Sequence, residues 1–191
     1  MAKTIRLILI IIMIVLAWLG AVTGIKTGEQ VVYPLAYEEY ITKYAEEYHL
    51  DKFLVMAVIR TESDFVPEAH SGLAGGLMQL TEETARWNAE QIGIEVFDYM
   101  DPETNIMLGC HYLRYLIDNY GVLDTALAAY NGGMGNVSAW LSDSRYSDNG
   151  KTLKEIPFTE TKNYVTRVND AWIYYREHYD EIKAANAQLQ S

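Results

Sequence analysis

Asp51-Lys52-Phe53-Leu54-Val55-Met56-Ala57-Val58-Ile59-Arg60-Thr61-Glu62 is the stretch on which the reading of this chain turns. An aspartate suited to capping a helix precedes an unbroken apolar run, and charged or polar residues close it. The pattern predicts a buried helix that begins near Asp51 and ends near Glu62. Beyond it come a glycine-rich segment, Ser71 to Gly76, and then the apolar pair Leu77-Met78. A carboxyl group held where a buried helix meets a loop is partly desolvated, which raises its pKa and keeps it protonated near neutrality. That state suits a general acid. The residues alone leave open the plainer alternative of an exposed helix-end glutamate.

Working outward, the pattern stays helical. Tyr33, Tyr37, Tyr40, Tyr44 and Tyr48 fall on one face of a helix and read as a packing face with hydroxyls at its edge. Further helices are predicted at about Thr81–Ile92, at Glu103–Tyr120 after Asp101-Pro102, at Val122–Tyr130, and from about Glu160 to beyond Tyr179. Ser71–Gly76 and the Ser-, Asp-, Asn- and Gly-rich segment 142–158 read as loops. No alternating strand pattern or internal repeat is visible, so the fold class is mostly α.

Composition narrows the function. The chain has 191 residues, of which 50% are hydrophobic and 12% aromatic, enough to bury a core and too many for a disordered chain. A net charge of −11 argues against a nucleic-acid partner, which requires a basic footprint. Cys110 is the single cysteine, so no internal disulfide forms; it reads as a buried helix residue. His49, His70, His111 and His178 lack metal-ligand spacing, and no nucleophile elbow, phosphate loop or dinucleotide fingerprint occurs. No metal or other cofactor is expected. Carboxylate chemistry remains.

The charge is unevenly spread. No acidic residue precedes Glu29, and residues 7–25 are 19 uncharged positions. A helix of that length spans roughly the 30 Å hydrocarbon core of a bilayer. Lys3 and Arg6 before it place the N-terminus in the cytoplasm by the positive-inside bias, and the remainder outside. The expected organisation is a cytoplasmic tip and transmembrane signal-anchor at 1–25, a linker at 26–34, a helical domain at 35–183 and a polar, frayed tail at 184–191. Cleavage of the N-terminal segment would instead release a secreted protein. Residues 26–191 carry net −13, because two of the fifteen basic residues precede them.

Four motifs in order add a resemblance. Ala57-Val-Ile-Arg-Thr-Glu62-Ser63-Asp-Phe65 resembles the first motif of the lytic transglycosylases related to goose-type lysozyme. Gly76-Leu77-Met78-Gln79-Leu80 with Thr84-Ala85 is similar to the second, and Asp101-Pro102, Asn105-Ile106 and Leu108-Gly109 to the helix start that follows. Ala129-Tyr130-Asn131-Gly132-Gly133-Met134-Gly135-Asn136-Val137 resembles the third, and Ile156-Pro-Phe158 through Glu160-Thr161, Tyr164-Val165 and Arg167-Val168 the fourth. Each motif alone is weak, but the ordered set is specific.

The resemblance implies a lysozyme-like helical domain that cleaves peptidoglycan glycan strands at the β-1,4 bond between N-acetylmuramic acid and N-acetylglucosamine. It makes Glu62 the single general acid/base, with no second catalytic carboxylate and a 1,6-anhydro product end. It puts Met78 and Gln79 on the cleft floor and Tyr130 and Asn131 on its wall. Tyr164 would reach toward Glu62, and Glu160 would support the site or bind sugar. Ser71 is the expected cleft serine, although the loop is one residue shorter than the family pattern. Met134 stands where the family usually has Pro, and Thr81-Glu82-Glu83 where Met-Pro-x is common. The competing expectations are a hydrolytic muramidase on the same fold and a non-catalytic glycan-binding module.

Overall fold

The computed structural model describes residues 33–189. The apolar segment 7–25 lies outside them; among the described residues no helix is long and apolar enough to cross a membrane. Ala36–Glu177 forms one compact unit and contains every element discussed below except the end of the last helix, which falls in a second unit.

The chain runs α1 (Glu38–Glu47), α2 (Lys52–Ser63), β1 (His70–Ser71), β2 (Ala74–Gly75), β3 (Leu80–Thr81), α3 (Glu82–Gln91), α4 (Pro102–Tyr120), α5 (Leu123–Gly132), α6 (Met134–Leu141) and α7 (Thr159–Leu189). The fold is mostly α. Local chemistry sets the helix starts. Asp51 accepts from Phe53 N at 2.9 Å, Thr81 from Thr84 N at 3.1 Å, and Asp101 from Thr104 N at 3.0 Å, with Pro102 in the first turn of α4. Glu82 and Glu83 follow the Thr81 cap and favour the positive end of α3.

α2 is the central rod. Leu54 to Ile59 are all buried, with every residue from Val55 to Ile59 at 0% exposure. A helix that is apolar all round must lie inside a core. Ile106, Leu108, Leu113 and Leu116 of α4 and Ala126 to Ala129 of α5 supply further buried surface. Along the chain, α1 packs on α2 and α4, α3 on α4, α4 on α5, and α5 on α6.

Four differences from the sequence expectations appear, the first three with local causes. The first helix starts at Glu38, not at Tyr33, because Tyr37 adopts a left-handed backbone (φ 57°) that a helix cannot continue through. The segment expected to be a plain loop folds into a small antiparallel sheet in the order β1-β2-β3, with His70 opposite Gly75 and Gly75 opposite Leu80. Strands of two residues leave no alternation to read. Gly133 (φ 83°, ψ 143°) ends α5 and starts α6, a conformation open to glycine, so the chain turns there into a helix the sequence pattern had not separated. α7 continues to Leu189, past the position where fraying was expected.

Asp51 does more than cap α2. Its second oxygen accepts from Trp172 Nε1 of α7 at 2.9 Å, so one carboxylate ties the start of the central helix to the last helix. Asp51→Ala is expected to lower stability by about 1–3 kcal/mol, since a cap and a hydrogen bond to a charged group are lost together. Urea unfolding of the variant beside the wild type checks this through the shift in midpoint.

Candidate active site

Glu62 sits in the last turn of α2. It keeps some solvent-accessible surface, but protein surrounds the carboxyl group, and this desolvation pushes its pKa up to about 7. Two groups oppose the shift. The Tyr164 hydroxyl interacts with the carboxylate as a hydrogen-bonding neighbour, and the Arg167 charge favours ionisation; the nearby charge of Glu160 adds to the rise. The Tyr164 hydroxyl is buried and lacks a well-formed hydrogen bond, so its contact with Glu62 is loose. Burial and the Glu62 charge push the Tyr164 and Tyr130 hydroxyls well above their ordinary pKa, which keeps both protonated as donors.

The next residue, Ser63, was not singled out from sequence, and it joins the first two motifs. Its buried hydroxyl is 2.8 Å from Leu77 O and 3.1 Å from Ile59 O. Leu77 opens a buried, irregular segment whose polar backbone must find partners away from water. Met78 N–H donates to Asn105 Oδ1 at 2.7 Å, and Met78 O accepts from the Tyr130 hydroxyl at 2.9 Å. The Asn105 amide nitrogen donates to Gly75 O and Tyr99 O at 3.1 and 2.7 Å, so a single side chain at 0% exposure satisfies three backbone groups.

Glycine is needed at two points around this clamp. A Cβ on Gly76 (φ 79°) would lie 2.2 Å from Asn105 Nδ2, and one on Gly109 would lie 2.3 Å from the Met78 sulfur. This locates Met78. Its side chain is fully buried against α4, so it supports the floor from beneath, and its peptide group rather than its thioether meets the site. Close packing on Gly109 leaves the side chain no exposed surface.

Gln79 has a left-handed backbone (φ 48°). Its amide nitrogen donates to Ala69 O at 2.9 Å and Gly76 O at 2.8 Å, while its Oε1 is buried and unpartnered. The Tyr130 and Tyr164 rings stack with centroids 6.5 Å apart and 6° between planes, which joins α5 to α7 beside Glu62. One residue further along α5, Asn131 Oδ1 accepts from the buried Thr161 hydroxyl of α7 at 2.8 Å. Glu160 is exposed at the start of α7. Ser71 is exposed on β1 opposite Ala74, and among the described residues it takes no part in the contacts that tie the other residues together.

Ser63, Asn105, Thr161 and Arg167 are thus the site residues that sequence reasoning left unassigned. All four stand inside the quoted motifs, but only their partners show what they do. Two surface hollows lie nearby, and Glu62 lines neither. One, of about 310 Å³, is walled by Thr84, Trp87, Tyr112, Tyr115 and Met134 with Glu83, and Tyr112 packs 5.3 Å from Tyr130. The second, of about 830 Å³, shares Glu83 and Trp87 and reaches His70 and Tyr99 beside the small sheet.

The desolvated carboxyl of Glu62, with two protonated tyrosines near it, gives this mostly helical scaffold a group that can hold a proton near neutrality. Residues 39–153 match the family model described as transglycosylase SLT domain, and the chain belongs to that family. It is 35% identical over 159 residues to the soluble lytic murein transglycosylase of Salmonella typhimurium, covering 80% of this chain and 25% of that protein. The membrane-bound lytic murein transglycosylase C of Serratia proteamaculans is 33% identical over 162 residues, 71% of this chain and 45% of that one. An inactive Glu-to-Gln mutant of the lytic transglycosylase Slt from Pseudomonas aeruginosa superposes with a TM-score of 0.68 at 31% identity, covering 78% of this chain and 25% of that chain. The chain therefore spans about a quarter of the length of the soluble relative and of the solved structure.

The Glu62 shift has a consequence for stability. A carboxyl whose folded pKa is raised to about 7 binds its proton more tightly in the folded than in the unfolded chain, where its value is near 4.5. Its contribution is fully present below about pH 4.5 and is lost as pH rises through 7. Glu62→Gln, which cannot ionise, is expected to be more stable than the wild type at pH 8, by on the order of 2 kcal/mol. The difference should vanish near pH 4.5 when urea unfolding of the two proteins is compared across pH.

Proposed function

We propose that this chain is a membrane-anchored peptidoglycan lytic transglycosylase with Glu62 as its single general acid/base. The observation that carries the reading is the Glu62 carboxyl, desolvated enough to hold a proton near neutrality and flanked by Tyr164 and Tyr130. Family membership and the names of its relatives support the substrate class, and inactivity of a Glu-to-Gln mutant in a structural neighbour supports carboxyl chemistry.

In this mechanism protonated Glu62 gives its proton to the glycosidic oxygen as the bond to C1 of N-acetylmuramic acid breaks, and the N-acetylglucosamine side leaves as an alcohol. The resulting carboxylate takes the proton of the muramyl 6-hydroxyl, whose oxygen attacks C1. The product is a 1,6-anhydro end, no water is consumed, and Glu62 ends protonated as it began. The substrate's own N-acetyl group supports the positive charge at C1, a known exception to the use of two carboxylates. Tyr164 steadies Glu62 in its ionised state. Gln79, Tyr130, Asn131, Glu160 and Ser71 are the proposed glycan contacts, with Met78 supporting the floor. The anchor is residues 7–25, with the catalytic domain outside the cytoplasmic membrane; a relative that is itself membrane-bound is consistent with this arrangement. A hydrolytic muramidase is the competing reading, in which water takes the place of the 6-hydroxyl.

Mass analysis of purified peptidoglycan digested by the full chain separates these readings. Sugar ends lighter by one water are expected; reducing ends would mean hydrolysis, and retained binding without cleavage would mean a glycan-binding module. Glu62→Gln is expected to reduce cleavage by at least about a thousandfold, and the wild-type rate should fall as pH rises through 7, because the acid form is lost. For the anchor, the full chain should stay with membranes through a high-salt wash and a chain lacking residues 1–25 should not; release of the full chain by salt would reject the span.

A further inference from the structure

Two adjacent rungs join α5 to α7 beside the candidate site. One is the Tyr130–Tyr164 stack and the other is the Asn131–Thr161 hydrogen bond. Thr161 and Tyr164 are three residues apart and both buried, so they lie on one face of α7. The helices approach closely at this point. A Cβ on Gly132 would sit 3.0 Å from Thr161 Oγ1 and 3.2 Å from its Cγ2.

This packing has a chemical consequence for Asn131. An amide offers an acceptor on one side and two donors on the other, and either can face a ligand until something fixes the flip. The Thr161 hydroxyl, at 2% exposure, is shut away from water and must spend its proton inside the protein. Asn131 Oδ1, at 2.8 Å, receives it. With the oxygen committed to α7, the NH2 group points away from α7. Asn131 is only half-buried, and its nitrogen is not among the buried polar atoms left without a partner.

We propose that Thr161 is a positioning residue that locks the Asn131 amide with its NH2 toward the cleft, so that this position selects a carbonyl oxygen on the glycan, that of an N-acetyl group. The inference rests on the glycan-cleaving reading given above. Thr161 touches no substrate; it acts through Asn131. A hydroxyl on the sugar can turn either way and would tolerate either face of the amide, but a carbonyl can only accept.

The test is steady-state cleavage of solubilised, uncross-linked glycan strands by the full chain in detergent. Thr161→Val keeps the shape and removes the proton. It is expected to raise KM about tenfold with kcat within about twofold, equivalent to about 1.4 kcal/mol of binding. Thr161→Ser, which restores the hydroxyl, is expected to return KM to within about twofold of the wild type. Asn131→Asp is expected to be as impaired as Asn131→Ala, because a carboxylate has no N–H to present. Strands chemically de-N-acetylated lack the group that assists cleavage, so they are compared by binding: the affinities of Thr161→Val and the wild type for them should differ by less than twofold. An Asn131→Asp variant with wild-type KM would overturn the inference by showing that an acceptor faces the cleft. So would an unchanged KM in Thr161→Val, or a loss that serine fails to rescue and that tracks a lowered unfolding midpoint. A wild-type chain that cleaves no strands would instead reject the glycan-cleaving reading, and this inference with it.

Discussion

A short irregular segment lies buried beneath the candidate site, and the need to satisfy its backbone organises the structure around it. Helices and sheets satisfy their own peptide groups, but the buried Leu77-Met78 stretch between β2 and β3 belongs to neither. The segment borrows partners from three helices: Ser63 at the end of α2 for Leu77 O, Asn105 of α4 for Met78 N–H, and Tyr130 of α5 for Met78 O. The glycines at 76 and 109 follow from the same demand, since each makes room for a side chain that serves or packs the segment. Because the partners belong to different helices, the loop acts as the keystone between them. Helix α2 ends at this loop, and the residue next to the Ser63 anchor is Glu62.

The electrostatics of Glu62 follow from that placement. Its carboxyl stands at the end of a helix whose middle, Leu54 to Ile59, is buried, and desolvation there outweighs the help of Arg167 and the Tyr164 hydroxyl. A free carboxylate on the surface would titrate more than two units lower and hold almost no proton at pH 7. The surrounding charge does not assist substrate capture. Residues 26–191 carry net −13, and a bacterial wall is itself often anionic, so long-range attraction is a poor basis for binding. For the proposed glycan substrate, hydrogen bonds from fixed amides and contacts with aromatic rings are the better basis. An N-terminal tether, as proposed, would offset repulsion by raising local concentration.

Much of this was legible in the sequence, and the legible parts share a cause. Asp51, Thr81 and Asp101 announce helix starts because a cap bonds to a backbone N–H two or three residues away. The apolar run after Asp51 announces a core helix, while the desolvation of Glu62 at its end was one of two readings that the residues left open and that burial in the fold resolves. The three-stranded sheet escaped because its strands hold two residues each. The direction of the Met78 side chain could not be read locally, because methionine on a floor looks the same from sequence whether it faces up or down; the close approach to Gly109, 31 positions later, sets it.

By itself, then, the sequence determined the mostly helical class, the places where helices begin, the order of the four motifs and the position of the candidate acid, Glu62, at the end of the apolar run. These are set by contacts within a few residues or by the pattern of one element. Tertiary structure alone decided which groups surround that acid and which way they face. Asn105 meets Met78 across 27 positions, Thr161 meets Asn131 across 30, and Tyr130 meets Met78 across 52. No local rule couples residues so far apart. Their pairing arises only when α4, α5 and α7 come together and leave one buried peptide segment to be satisfied.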